Sequence, residues 1–411
     1  MKKALKVFIN FNDIKNFKKL LEKRGTFMDK KKLLEVLSTE NPLKTFIENK
    51  NYLKDVTFLI FDNNTNHIPE LKEISYGEYR LQGLAPYNNA LILNEKIFEK
   101  EKSELKIKKI VHFDSNIITR LGEFFFNRES LKNSADFIKI LNFIKENGII
   151  PTCEPYLVER ILNDIPIPKE VDKRNEIYKN LLAFGLLKSE YSVEKEKSIS
   201  DFKNISSEII LVADEKFNYI LNNKEKTKKN EHYFVIYSML LKTSIIKKSG
   251  NLVEENKKKF VNFILKECGI FLEKESILCL LYLEDKLEKY NLKSFFNLKS
   301  IKEIKNVSWD LFHTRYLEQK MAENSDNNNN SYVFNFFFTH DKKLNRYIDF
   351  NYIKRMAFYK EQAYTFYSKN LEKDNFENYK DLFFEKEKII NRDINYRELS
   401  KKLEIELENI K

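Results

Sequence analysis

Apolar positions recur along this chain with the two spacings that separate helices from strands. In FNDIKNFKKLLEKRG (11–25) and FMDKKKLLEVLSTENPLKTFIENK (27–50), Leu and Phe return every three or four positions, which predicts helices. KALKVFIN (3–10) predicts a first strand and VTFLIFD (56–62) a buried one, the second followed by a turn over NNTNHIPE. NALILNEKIFEKEKSEL (89–105) adds a short strand and a charged connector. Residues 1–105 are therefore expected to form a small N-terminal α/β unit, and no catalytic cluster is visible in it.

A second unit opens near residue 106. KKIVHFDSNIITRLGEFFF predicts a strand over Lys109 to Phe113, a carboxylate at its end, Asp114, and a helix from about Asn116. SLKNSADFIKILNFIKENG reads as a helix stopped by Gly148, and EPYLVERIL as a helix with Pro155 tolerated in its first turn. Five apolar stripes of helical spacing then follow between 163 and 305 without a Gly- or Pro-rich break, a long helical insertion over about 165–305. SWDLFHTRYLEQKMAE predicts a further helix with Ser308 as N-cap and Asp310 in its first turn. After a polar loop, NSDNNNN, the run YVFNFFFTHDKKLNRYI predicts a strand ending at Thr339 and a helix from about Asp341. The Tyr-, Phe-, Lys- and Glu-rich tail from about 348 reads as more helices.

Composition narrows the class. With 411 residues the chain is long enough for two or three domains and for a core without disulfide or metal staples. A hydrophobic share of 42% against 33% charged residues excludes wholesale disorder. The net charge of +11 suits a polyanionic partner without requiring one. Cys153, Cys268 and Cys279 are too few and too irregular for a disulfide framework or a thiolate zinc site, and Cys153 has no evident base beside it. The five histidines show no HExxH spacing. No run reaches 18 apolar residues and the N-terminus does not read as a signal peptide, so a cytoplasmic chain without a membrane partner is expected.

Candidate chemistry lies in one repeated design. Two apolar strands end in an Asp, Asp114 in IVHFDSN and Asp341 in FNFFFTHD. In an open parallel sheet that edge is where ligands bind. Carboxylates gathered there suit a hard divalent ion, Mg2+ or Mn2+. Asp310 and Glu159 are positioned to join them if the fold brings them near. Each acid also has a plainer role: Asp114 and Asp341 as helix caps, Asp310 as a favourable first-turn charge, Glu159 as solvated surface, Glu154 as a helix-start acid. Four acids facing one point would raise each other's proton affinity, and a cation relieves that cost. His112, His313 and His340 stand beside these acids in sequence, and Trp309 reads as core.

Together FDSNIITRL, YLVERI, SWDLFHTR and FFFTHDKKL resemble the PIN domain, a family of metal-dependent nucleases that includes toxin ribonucleases and RNA-processing enzymes. The resemblance covers roughly 107–348, and its first and last motifs carry most of it. It implies an α/β fold with a central, mostly parallel sheet over 106–348, interrupted by the helical insertion and followed by a helical extension over 349–411. It implies Asp114, Glu159, Asp310 and Asp341 as metal-holding catalytic acids, with Glu154 competing for the place of Glu159. Asn116 and Thr339 would hold the acids or touch phosphate, and Lys342, Lys343 and Arg315 would contact the backbone. Arg315 lies five residues past Asp310, so it is expected on another side of that helix, which favours the two lysines. Single-stranded RNA is the implied substrate, in a toxin or phage-defence setting, with a protein inhibitor or self-association to mask the site. A catalytically inactive RNA-binding or protein-interaction scaffold and a flap-type DNA nuclease are the alternatives. The 196 residues between Asp114 and Asp310 exceed the spacing of compact members, and the insertion must account for the excess.

Overall fold

The computed structural model describes residues 30–62, 73–87, 90–95, 106–127, 134–162, 175–189, 205–224, 231–325, 331–359, 362–368 and 394–410. The strand and helix expected over 3–25, the turn over 63–70, the connector over 96–105, the lysine run after 224 and the NSDNNNN loop after Ser325 lie outside the described residues.

The N-terminal apolar period becomes two short helices, α1 (Lys30–Ser38) and α2 (Pro42–Asn49), the second capped by Asn41 with Pro42 in its first turn. Strands β1 (Val56–Ile60), β2 (Glu73–Tyr76), β3 (Tyr79–Gly83) and β4 (Leu91–Leu93) follow. Next come β5 (Lys106–Phe113), α3 (Ser115–Phe126), α4 (Ser134–Glu146), β6 (Ile150–Thr152) and α5 (Glu154–Leu162). The insertion supplies α6 (Glu176–Lys188), α7 (Ser207–Lys224), α8 (Glu231–Lys248), α9 (Val253–Phe263) and α10 (Glu273–Leu283). The long helix α11 (Ile301–Asn324) leads to β7 (Ser331–Thr339), α12 (Lys342–Phe350), β8 (Ile353–Tyr359), β9 (Gln362–Tyr367) and α13 (Tyr396–Asn409).

The nine strands among the described residues form two sheets, ordered β2-β3-β7-β5-β6 and β4-β1-β8-β9. The chain is α/β, as expected, but the larger sheet is mixed rather than mostly parallel. Strands β7, β5 and β6 are parallel, whereas β3 runs antiparallel to β7 and pairs with β2. The cause is local. Gly77 has φ +59° in the two-residue turn joining β2 to β3, where a Cβ would also collide with Asp136. That turn folds the segment into a hairpin, and the hairpin closes the free side of β7. β5 shows the opposite edge, because β6 pairs only with Ile110 to His112. Lys106, Lys108 and Lys109 stay exposed beyond it, which discourages another chain from pairing there.

Three expectations are corrected. The tail is not all helical: β8 and β9 precede α13, and β8 is the inner strand between β1 and β9. The run IKRMAFY of β8 carries Lys354 and Arg355, so it shows neither strict alternation nor an unbroken apolar stretch, and its pairing between β1 and β9 decides it. Boundaries near 105 and 348 cut across paired strands, since β3 pairs with β7 and β1 with β8. Ser308 is not an N-cap. It is buried inside α11 and donates to Ile304 O at 2.7 Å, while Ser300 caps the helix and exchanges hydrogen bonds with Glu303.

Three apolar cores hold these layers. One joins Val111, Phe113 and Phe338 of the larger sheet to α3–α7, and another joins Phe337 to α8, α10, α11 and α13. The third packs α1 and α2 on β1 and β8. No described helix is long and apolar enough to cross a membrane.

The third core is tied by a buried cation. Arg355 on β8 donates from Nε and Nη2 to both oxygens of Asp62, each at 2.7 Å, and from Nη1 to the carbonyls of Leu37 (2.9 Å) and Thr39 (2.5 Å). The guanidinium thus satisfies the free carbonyls at the end of α1. Arg355→Met is expected to lower the unfolding free energy by about 3 kcal/mol, because it leaves the buried Asp62 with the partly exposed Lys354 (3.0 Å) as its cation and frees the carbonyls at the end of α1. Urea unfolding checks this, and an unchanged midpoint contradicts it.

Candidate functional site

From β5 the chain reaches β6 on one side and β7 on the other, so a crevice opens above the carboxyl ends of β5 and β7. The register pairs Phe113 with Phe338, and Asp114 N donates to Phe338 O at 3.0 Å. Asp114 and Thr339 therefore leave adjacent strands side by side. Thr339 Oγ1 donates to Asp114 Oδ2 at 2.8 Å and accepts from Asp341 N at 3.0 Å. Asn116 Nδ2 donates to Asp114 Oδ2 and reaches Thr339 Oγ1 at 3.3 Å. Both strand-end acids are also caps. Asp114 Oδ1 accepts from Ser115 N at 2.7 Å at the start of α3, and Asp341 Oδ1 accepts from Lys343 N at 2.7 Å at the start of α12. Capping and gathering are compatible, because each carboxylate oxygen can accept more than one bond.

Glu159 comes from α5. Ser115 Oγ donates to Glu159 Oε2, so one residue links it to Asp114. Glu154, the competing acid, instead accepts from Tyr316 OH at 3.1 Å, nearer the α7 side. Asp310 lies within α11 rather than at its start. Its proton affinity is raised well above the ordinary carboxylate value, first by burial and then by the charges of Asp114, Asp341 and Glu159, with Lys343 opposing. Its surface is still partly open to solvent, as expected for a group at a cleft floor. Asp114 is pushed up to about 7, chiefly by burial, with Glu159 and Asp341 adding to it and the Thr339 hydrogen bond working against it. The four expected acids, from four different elements, thus share one electrostatic environment.

The donor set fits a hard divalent cation. The groups are carboxylates, two have unusually high proton affinity, and among the described residues no hydrogen-bond donor is paired with Asp310. Among the described residues, however, no three Asp, Glu, His or Cys side chains already stand in coordinating arrangement around one point. The acids are neighbours in charge and hydrogen bonding without being drawn to a single centre.

Lys342 and Lys343 are exposed at the start of α12, and Lys343 acts on Asp310. Arg315 is elsewhere. It forms a bidentate ion pair with Glu275, so the expected phosphate contact is corrected. It lies on the far side of α11 and was drawn inward by the first turn of α10. Arg120 is engaged with Glu78 (3.7 Å) and Glu123 (3.8 Å). His112 is buried and held neutral, its pKa pushed down to about 4 by burial. His313 is also buried, one helical turn from Asp310, and Glu159 acts on it. His340 is half-buried at the rim. Trp309 stacks on Tyr233 with ring centroids 4.2 Å apart. The three thiols are buried, and burial raises each pKa, to about 11 for Cys153 and about 12 for Cys268 and Cys279.

No family model, curated protein or solved structure matches this chain. The site therefore has to be read from its own residues. Ser115 was missed as a contributor. Its signal was only its place between two polar residues in DSN, whereas its bond to Glu159 is a tertiary contact.

The raised Asp114 pKa carries a pH signature. As pH rises, the unfolded chain gives up this proton near the ordinary carboxylate value of 3.8, before the folded chain does near 7. The stabilisation is complete below about pH 4 and is lost as pH rises through about 7. Asp114 alone lowers the unfolding free energy by up to about 4 kcal/mol across that window, while the depressed pKa of His112 acts in the opposite direction, so the comparison with the variant isolates it. Asp114→Asn should reduce the fall, as read by urea titration at several pH values. An equal fall in the variant contradicts the assignment.

Proposed function

We propose that this chain is a metal-dependent nuclease of PIN-like kind, cleaving single-stranded RNA. One observation carries the reading: Asp310, delivered by a helix distant in sequence, feels the charges of Asp114, Asp341 and Glu159. Capping explains Asp114 and Asp341 singly but does not explain why Glu159 and Asp310 converge on them.

The four carboxylates are the groups that would hold Mg2+ or Mn2+. A divalent cation held by them would supply a water of lowered pKa and would offset charge on the leaving oxygen. Asp114 and Asp310 give up any proton they hold when they become ligands. Thr339, Asn116 and Ser115 fix the carboxylate orientations, so less reorganisation accompanies reaction. Lys342 and Lys343, with the amino ends of α3 and α12, meet the phosphate backbone. In-line hydrolysis leaves a 5′ phosphate and a 3′ hydroxyl, and no histidine base is required.

An inactive PIN-like scaffold that binds RNA or protein is the alternative, and the cleavage assay below separates the two. A flap-type DNA nuclease asks for more acids at the crevice, and the next acid on α5, Glu154, is engaged by Tyr316.

Purified protein is expected to cleave labelled single-stranded RNA with Mn2+ or Mg2+ and not with EDTA. Asp114→Asn, Asp310→Asn and Asp341→Asn should each slow cleavage by at least about a hundredfold. Equal activity in all three variants rejects the site. RNA binding without cleavage favours the scaffold, and preference for DNA favours the flap-type reading. Replacing Lys342 and Lys343 with Ala should weaken RNA binding and lower the slope of log affinity against log salt by about 2. Filter binding at graded KCl measures this, and an unchanged slope removes both lysines from the interface.

A further inference from the structure

Asp310 differs from the other three acids in how it is held. Asp114 and Asp341 are pinned by backbone N–H groups and Thr339, and Glu159 by Ser115. The position of Asp310 depends on the rotation and height of α11 itself. A rotation of about 20° moves a side chain at a radius of roughly 5–6 Å by about 2 Å. That is the full length of a magnesium–oxygen bond, roughly 2.0–2.1 Å.

Behind Asp310, α11 is gripped by buried charges. Arg315 Nε donates to Glu275 Oε1 at 2.8 Å, and its Nη2 donates to Glu275 Oε2. Three residues on, Glu318 accepts from Lys274 Nζ at 2.6 Å and from Tyr367 OH at 2.7 Å. Lys274 Nζ also lies 4.7 Å from the Tyr367 ring centroid and 5.3 Å from that of Tyr347. Glu275, Lys274 and Glu318 are buried, so this is a neutral quartet of charges taken out of water. At about 100° per residue, Arg315 and Glu318 point about 140° and 80° round the helix from Asp310. The quartet therefore grips the back of α11 while Asp310 faces the crevice. It joins α11 to α10, to β9 and to Tyr347 of α12, the helix that Asp341 begins.

Buried ion pairs contribute little net stability compared with apolar packing, and their best attested use is to fix register. We propose that the Lys274–Glu318 and Arg315–Glu275 pairs, with Tyr367, are a positioning device that sets Asp310 at the height and rotation from which it shares a divalent cation with Asp114, Asp341 and Glu159. The inference rests on the metal reading of the site. It gives the helical insertion a task, because α10 supplies two of the four charges.

The test compares Mn2+ affinity with stability in the full chain. Free Mn2+ is followed by electron paramagnetic resonance in wild type, Arg315→Lys, Tyr367→Phe and, as a control from a hydroxyl outside this network, Tyr178→Phe, which loses its 2.6 Å bond to Asp214. Arg315→Lys keeps the charge and loses the bidentate geometry. Tyr367→Phe removes one hydroxyl and keeps the fold if the larger change does not. Both are expected to weaken Mn2+ binding by roughly tenfold or more. Tyr178→Phe should lower the thermal midpoint and leave Mn2+ affinity unchanged. Wild-type affinity in both network variants, with only the midpoint lowered, overturns the positioning role and leaves the metal reading standing. Absence of Mn2+ binding in wild type overturns the metal reading and the positioning role with it.

Discussion

The structure is organised around a conflict between like charges. Four carboxylates reach one crevice from β5, α5, α11 and β7, where the low surrounding polarity makes their repulsion costly. The fold lowers the cost by giving three of them hydrogen-bond donors. Ser115 N, Thr339 Oγ1 and Asn116 Nδ2 serve Asp114, Lys343 N serves Asp341, and Ser115 Oγ serves Glu159. Among the described residues Asp310 has no hydrogen-bond donor, and Lys343 opposes the charges of its neighbours. A buried acid without a donor beside three others is the feature any functional reading must explain.

The remaining architecture serves that crevice. The parallel pairing of β5 and β7 sets Asp114 beside Thr339, and the β2–β3 hairpin closes the far side of β7. One apolar core supports α3 and α5 from one face of the sheet, and another supports α11 from the opposite face. The second sheet, anchored by Arg355, adds β9, whose Tyr367 reaches Glu318 on α11. Distant parts of the chain thus meet on the helix that carries Asp310.

Much of the local structure was legible from sequence, because helix period and strand-end polarity are local signals. The helices of the insertion, the stop at Gly148 and the caps at Asp114 and Asp341 follow from residues close together. What was not legible depended on distant partners. β8 reads as helix or strand until β1 and β9 lie on either side of it. The mixed sheet follows from a hairpin adding to β7, which no period encodes. The start of α11 was readable but misplaced: Ser300 caps it by accepting from Glu303 N, whereas Ser308 simply bonds back to Ile304. The four acids were legible as residue types and as strand ends, but their convergence was not. The helical wheel already argued against Arg315, and its pairing with Glu275 needed the fold.

Proton release on Mn2+ binding is the most direct measurement of the central claim. Calorimetric titration near pH 6, in two buffers of different ionisation enthalpy, counts the protons displaced. If buried carboxylates share a cation, binding at that pH releases about one proton or more per ion, because Asp114 and Asp310 must be ionised to act as ligands. Failure of Mn2+ to bind, or binding without proton release, would contradict it.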